Sequence, residues 1–382
     1  MRRAASMAVP VLVALAPVAL ALTSAARAEV TLERGEGRVT ISIDGAPFTE
    51  YRHAGHDKPI LWPLRAPSGV TLTRAWPVEK GVEGEPQDHP HHESLWFTHG
   101  AVGGHDFWAP RAHGAGPDRP VPRVEHERIE RCEGGATGIL ETTARWVDPD
   151  GKPILAERRR MEFAGDAAAR TIDFTLELSA LAGPVTFGDT KEGTFALRVR
   201  PELQPKDTNG SRGAAGRLVN SEGLVDGAAW GKRARWVDYS GTVEGKPRGI
   251  AVCDHPTNLR HPTWWHAREY GLFAANPFGI HDFTGGQAGE GDHVVPEGGT
   301  LVLRYLVVFH EGDAEAAGIE GRYRAWAGGG GECAHASSTA RRSPAGSRTR
   351  SARRPRRFPG WRGGRRGWWW CSWATWPQAP PT

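Results

Sequence analysis

A large antiparallel β-sandwich is the fold this 382-residue sequence predicts, on three observations. Several stretches alternate apolar and polar residues with the period of two that marks a strand with one buried and one wet face. Gly (49) and Pro (29) together make about a fifth of the chain, which favours turns and strands over long helices. Apolar spacing of helical period is confined to Asp313 to Trp326, too short to build a bundle.

In chain order, Val39-Thr40-Ile41-Ser42-Ile43 alternates and ends on Asp44-Gly45, a hairpin signal. Arg158 to Phe163 reads as a strand after the turn Pro149-Asp150-Gly151. Thr171 to Leu178 alternates throughout, and Phe195 to Arg200 repeats the pattern. Gly249 to Cys253 and Leu301 to His310 are further strands, the latter after the turn Pro296-Glu297-Gly298-Gly299. About 300 residues of such strands, joined by long loops and without internal repeats, predict one domain over residues 29–326.

Both ends differ from this body. Arg2 and Arg3 precede an apolar run from Ala8 to Leu22, and Ala26-Arg27-Ala28 has the small-x-small pattern of a cleavage site, so residues 1–28 read as an export signal peptide. The run carries Pro10 and Pro17 and is shorter than the roughly 20 residues of a spanning helix. The expected location is therefore the periplasm or the exterior, with no stable membrane anchor after cleavage. Residues 327–382 hold 11 Arg, no Lys and one acid, and six of the chain's 16 Trp. This basic Arg/Trp-rich tail reads as disordered, with the composition of a GC-rich gene translated out of frame. Its balance of +10 masks a body of negative charge within the overall +4, so the pI of about 9.0 does not point to a nucleic-acid partner. Four Cys do not make a disulfide framework at this length, and pairing of Cys132 with Cys253 stays open.

Chemistry-bearing residues concentrate in four loop-like segments. The first runs from Asp88-His89-Pro90-His91-His92-Glu93-Ser94-Leu95-Trp96-Phe97 through His99 to Trp108, and six of the 16 His lie between His89 and His113. The others are Gly188-Asp189-Thr190-Lys191-Glu192-Gly193-Thr194-Phe195, Asp254-His255-Pro256-Thr257-Asn258 running on to His266-Ala267-Arg268, and Tyr270 to Gly279 with Asn276-Pro277-Phe278-Gly279. Imidazoles and carboxylates beside Trp and Phe suit a sugar site, with ring faces to stack on and groups to move protons. His91, His92, Asp189, Glu192 and His266 are the candidate catalytic residues. Trp96, His99, Lys191, Asn258, Arg268 and Asn276 are the candidate substrate-binding residues.

These four motifs, in this order, resemble an exported bacterial family labelled "methane oxygenase PmoA", over nearly the whole body from Glu29 to Trp326. The departures are the tail and the Glu93-Ser94 pair. The resemblance implies a galactose-mutarotase-like supersandwich, and Val295-Pro296-Glu297-Gly298-Gly299-Thr300-Leu301 is similar to the closing strand of that superfamily. It does not imply the membrane-spanning methane monooxygenase.

Three function classes follow. An enzyme acting on carbohydrate by proton transfer (epimerase, lyase or hydrolase) would use a His as acid and Glu192 as base, with no cofactor; acids beside His91 and His92 would hold their pKa near neutrality. A metal-dependent, oxygenase-like enzyme would take His and carboxylate ligands, and His89-x-His91 has the spacing of a cupin's first motif without its downstream Glu. A non-catalytic glycan-binding module would want exposed Trp but has no need of so many His and acids. Nucleophile-elbow, phosphate-loop and dinucleotide motifs are absent from the sequence.

Overall fold

The computed structural model describes residues 28–111, 116, 119–207 and 212–328. The expected signal peptide, apart from Ala28, and the tail beyond Gly328 lie outside them. In chain order the strands are β1 (Val30–Gly35), β2 (Arg38–Ile43), β3 (Ala46–Arg52), β4 (Ile60–Leu61), β5 (Leu95–His99), β6 (Arg123–Glu133), β7 (Gly138–Val147), β8 (Pro153–Gly165) and β9 (Ala169–Ala180). They continue with β10 (Val185–Phe187), β11 (Gly193–Arg198), β12 (Arg217–Asn220), β13 (Trp236–Val243), β14 (Lys246–Asp254), β15 (Trp264–Ala267), β16 (Leu272–Asn276), β17 (His293–Val295) and β18 (Thr300–Glu311). The described residues also form two α-helices, α1 (Ile280–Thr284) and α2 (Ile319–Gly328). None of the described helices is long and apolar enough to cross a membrane.

Two eight-stranded antiparallel sheets carry the fold, as the alternation predicts. The first orders its strands β1-β2-β3-β4-β5-β11-β16-β15, the second β12-β13-β14-β18-β9-β8-β7-β6, and β10 with β17 makes a separate ribbon. The core lies between the sheets, where Phe195 of the first meets Phe174 (ring centroids 4.9 Å) and Tyr305 (4.5 Å) of the second, and Phe48 meets Phe309 at 5.5 Å. Each such buried ring contributes about 1.5–3 kcal/mol.

The Asp44-Gly45 signal is a turn with both residues at positive φ (51° and 73°), as a two-residue hairpin of matching twist requires. β9 shows the alternation in its burial: Ile172, Phe174, Leu176 and Leu178 are buried and the residues between them half-buried. β11 departs from expectation, because all six of its residues are buried. Phe195 and Leu197 face the core, whereas Ala196 belongs to a second apolar cluster on the outer face of the first sheet, with Ile60, Trp62, Ala75, Trp96, Trp108, Leu272 and Ala274. The expected C-terminal helix begins only at Ile319, since Gly312 and Gly318 (φ 82° and 63°) turn the chain before it. The outer face of the second sheet packs Trp236, Cys253 and Val308 against Ile319 and Tyr323 of α2. Cys132 and Cys253 are free thiols.

Candidate functional site

The outer face of the first sheet holds the chemistry. Strand register places Ile60, Trp96, Ala196, Ala274 and His266 in one row across β4, β5, β11, β16 and β15. The two alanines separate Trp96 from His266 in the row, all four residues are buried, and Trp108 and Tyr270 pack into the same cluster. On this apolar floor the motif preceding β5 stacks its imidazoles. His92 lies parallel to Trp96 at 5.3 Å and to His89 at 4.8 Å, and His91 meets His92 edge-on at 4.3 Å. His89 adopts φ 43°, and Ser94 φ 56°, in the left-handed region that costs non-glycine residues strain and is concentrated at functional sites.

Basic side chains support this stack from beneath. Arg198, fully buried at the end of β11, donates to His92 Nδ1 at 3.3 Å and to Asp88 Oδ1 at 3.2 Å, and its guanidinium lies 4.5 Å from the Tyr270 ring centroid. Arg74, also fully buried, donates to the same Asp88 oxygen and to the carbonyls of His89 (3.2 Å) and His92 (3.4 Å). Burial and the neighbouring Arg198 charge push Arg74 down to about 9. Burial works against the Asp88 carboxylate, but its His89 hydrogen bond and the Arg198, His89 and Arg74 charges outweigh it and hold the group well below the usual range. Lys58 is 3% exposed and joins Glu93 at 2.6 Å and the His91 carbonyl at 3.1 Å, while His56 Nδ1 meets the other Glu93 oxygen at 2.6 Å.

The expected near-neutral imidazoles are not what this environment produces. Burial comes first, then the Lys58, His89 and Arg74 charges, and together they take His91 down to about 3 against an opposing pull from Glu93. His92 is likewise held well below the ordinary imidazole value by burial, His91 and Arg198. Adjacent acids do not win because Glu93 is held by Lys58 and His56, and Asp88 by two arginines. His91 and His92 are therefore neutral at pH 7.

The second half of the row centres on His266. Its Nδ1 donates to the Lys191 carbonyl at 2.9 Å and its Nε2 accepts from Arg268 Nε at 3.0 Å, which fixes one neutral tautomer. Burial and the Arg268 charge lower it to about 3. Arg268 also lies 4.9 Å from the Trp230 ring. Lys191 and Glu192 pair at 3.2 Å with side chains 28% and 38% exposed, so they form the accessible rim. Tyr270 joins the halves: it stacks on His89 at 5.4 Å and on the Arg198 guanidinium at 4.5 Å, and burial raises its phenol pKa against the pull of the Arg198 and Arg268 charges.

The remaining sequence candidates are placed as loop supports. Asp189 accepts backbone N–H bonds from His281 and Gly291. Asn276 donates to the Thr190 carbonyl and accepts from Phe278 and Gly279. Arg260 (φ 58°) donates to the carbonyls of Pro277, Gly291 and Asp292, so three of the motifs meet in one knot beneath Lys191 and Glu192. His99 has no exposed surface, packs against Phe187 and Phe278 and donates to the Gly188 carbonyl at 2.7 Å. A Cβ on Gly193 would stand 2.2 Å from its Nδ1, which is why glycine opens β11. Asn258 stands apart: it binds Asp254 and both backbone groups of Arg304, at the second sheet.

Lys58, Arg74 and Arg198 escaped the sequence reading, since single residues without a motif carry no signal; Tyr270 opens the fourth segment in the sequence but was not among its candidate residues. Among the described residues no group of three or more His, Cys, Asp or Glu is placed to share a metal ion.

Comparison with known proteins adds the following. The model of a family described as "Family of unknown function (DUF6807)" matches residues 38–324. No curated protein matches the chain. Among solved structures, the GH36 α-galactosidase AgaA of Geobacillus stearothermophilus aligns with TM-score 0.34 and 11% identity, over 74% of this chain and 40% of that one. A protein named as an aldose 1-epimerase from Escherichia coli K12 aligns with TM-score 0.26 and 10% identity, over 74% of this chain and 99% of that one. An α-galactosidase from Lactobacillus brevis aligns with TM-score 0.26 and 8% identity, over 74% and 40%. The chain thus spans about two fifths of the length of these α-galactosidases.

Proposed function

Because the chain belongs to DUF6807, a family of unknown function, its activity has to be read from its own residues, and we propose that it is an exported carbohydrate-active protein working by proton transfer. The four motifs compared above with the PmoA-labelled family all fall within residues 38–324, which supports reading the two labels as one group. The observation that carries the functional reading is the buried row Trp96–Ala196–Ala274–His266, which seats the neutral imidazoles and is edged by the accessible pair Lys191 and Glu192.

A neutral imidazole offers a sugar one hydrogen-bond donor and one acceptor, and with a pKa far below neutrality it does not act as an imidazolium acid. His91 in this reading positions a hydroxyl. Glu192 at the rim takes and returns the proton, and Lys191, paired with it, donates to the oxygen that gains charge. His92 and His266 are positioning residues: each has a ring nitrogen fixed by an arginine. The chemistry needs no cofactor.

The test is incubation with neutral mono- and oligosaccharides, read by anomeric exchange, by reducing-end release and by unsaturated product. The expected result is one of these reactions in the wild type, falling 10²- to 10⁴-fold in Glu192→Gln with binding retained, the usual size of general acid–base assistance. Binding without turnover would replace the enzyme by a glycan-binding module. Metal-dependent turnover lost to a chelator would overturn the cofactor-free reading.

A further inference from the structure

A cleft of about 370 Å³ opens beside this face, lined by residues that none of the four motifs includes. Its walls come from β3 (Glu50, Arg52), from Trp62 and Arg65 after β4, and from Thr73, Glu79 and Arg200. The volume lies within the roughly 300–1,000 Å³ of small-ligand sites. Two features tie it to the imidazole stack. Trp62 and Ala75 belong to the same apolar cluster as Trp96 and Trp108. Residues 73–75 also divide between the two places: Thr73 and Ala75 line the cleft, and the Arg74 between them reaches Asp88, His89 and His92.

The polar groups of the cleft indicate what it takes. Three guanidiniums (Arg52, Arg65, Arg200) face three carboxylates (Glu50, Glu79, Glu85), so no net charge selects an ion. Most are already matched: Arg52 with Glu50 at 2.8 Å, Arg200 with Glu202 at 2.6 Å and the Thr71 carbonyl at 2.9 Å, and Glu85 with the backbone N–H groups of Ala75 and Trp76. Two are matched less fully: Arg65 donates through one terminal nitrogen to the Gly69 carbonyl at 3.3 Å but keeps a buried Nε without a hydrogen-bond partner, and among the described residues neither Arg65 nor the exposed Glu79 forms an ion pair. Val82, 41% exposed, adds apolar surface at the rim. A neutral ligand carrying vicinal hydroxyls, one to accept from Arg65 and one to donate to Glu79, with C–H faces for Trp62 and Val82, satisfies all of these together.

We propose that the Trp62 cleft is a second saccharide subsite, so that the ligand is a neutral oligosaccharide lying across residues 73–75 with one unit at the imidazole stack and another at Trp62. That the ligand is a sugar rests on the function proposed above; the cleft, its charge balance and its orphan donor do not.

The test uses the full chain, ¹⁵N-labelled, with the Trp62 indole N–H assigned through Trp62→Phe and the His91 ring through His91→Gln. The probes are hexasaccharides of β-1,4-linked glucose, xylose, mannose and galactose, their monosaccharides, and a hexagalacturonate. The expected result is a neutral hexasaccharide that shifts both Trp62 and His91 and binds at least tenfold tighter than its monosaccharide. That advantage should disappear in Arg65→Met and in Glu79→Gln, the second being an exposed change that leaves the fold intact. A hexasaccharide that shifts His91 alone, or a length advantage that survives both variants, overturns the second subsite and leaves the first reading standing. A shift at Trp62 alone supports the cleft and overturns the imidazole site. Response to the galacturonate only, or to none of the probes, overturns the proposal.

Discussion

His91, His99 and His266 enter the fold at a cost that depends on pH. Burial, the largest influence on each, holds their pKa values at about 3, 4 and 3, against an ordinary imidazole value of 6.5. Below pH 6.5 the unfolded chain takes up protons at these positions that the folded chain refuses until its own pKa is reached. Stability therefore falls as pH drops from about 6.5 toward 4, each such group adding a slope of about 1.4 kcal/mol per pH unit. Glu93, lowered to about 2 by Lys58 and His56 against its burial, adds a loss of the same sign below its ordinary 4.5. Urea denaturation at fixed pH should show this slope, and His99→Gln, which keeps a donor for the Gly188 carbonyl, should flatten it. A stability that is level from pH 7 to pH 4 would refute the assignment of neutral buried imidazoles. A second expectation concerns Arg198, which serves His92, Asp88 and Tyr270 at once. Arg198→Met removes one partner of a buried charge pair and should destabilise by about 3–5 kcal/mol. Glu192→Gln at the rim should stay within about 0.5 kcal/mol of wild type in the same denaturation experiment.

Among the elements, β9 and β11 show what the sequence makes legible and what it does not. β9 faces a core on one side and solvent on the other, and its burial follows its alternation. β11 alternates as well, yet Ala196 and Arg198 are as buried as Phe195 and Leu197 because loops from distant parts of the chain cover its outer face. Arg198 in a strand reads as a wet position; only the return of Asp88, Tyr270 and Arg74 over it makes it a buried hub. The imidazole motif was visible as composition, but its neutrality depends first on burial and then on Lys58 and the two arginines, none of which a local pattern encodes. Asp189 looked catalytic and Asn276 substrate-binding by residue type, and both are placed as supports for the segment ending in Lys191 and Glu192. The small residues of the row are the element-scale test. Ala274→Leu on β16 inserts bulk beneath Trp96 and Trp108 and should cost about 1–3 kcal/mol by overpacking, with a change in tryptophan emission reporting the displaced rings. An unchanged melting curve and spectrum would mean that the row is not closely packed.

For the whole molecule, the edges of the body are set by particular contacts. Trp326 donates to Asp173 Oδ2 at 2.8 Å, and Trp236 donates to Glu320 at 2.7 Å, fastening α2 to the second sheet. Truncation after Gly328 should leave the thermal midpoint unchanged, whereas truncation before Ile319 uncovers Trp236, Cys253 and Val308 and should lower it by several degrees or render the chain insoluble. A midpoint that falls on removal of residues 329–382 would show that the tail contributes to the fold. The position of β18 carries one more consequence, in time and not in space. It lies in the middle of the second sheet, paired along β9 on one side and β14 on the other, although it is the last strand among the described residues. Until residue 311 has left the ribosome, β9 and β14 each present a bare edge of unpaired backbone, and the Tyr305 and Phe309 rings are missing from the core. The nascent polypeptide thus stays open through most of its synthesis and closes only when this strand is threaded between its neighbours.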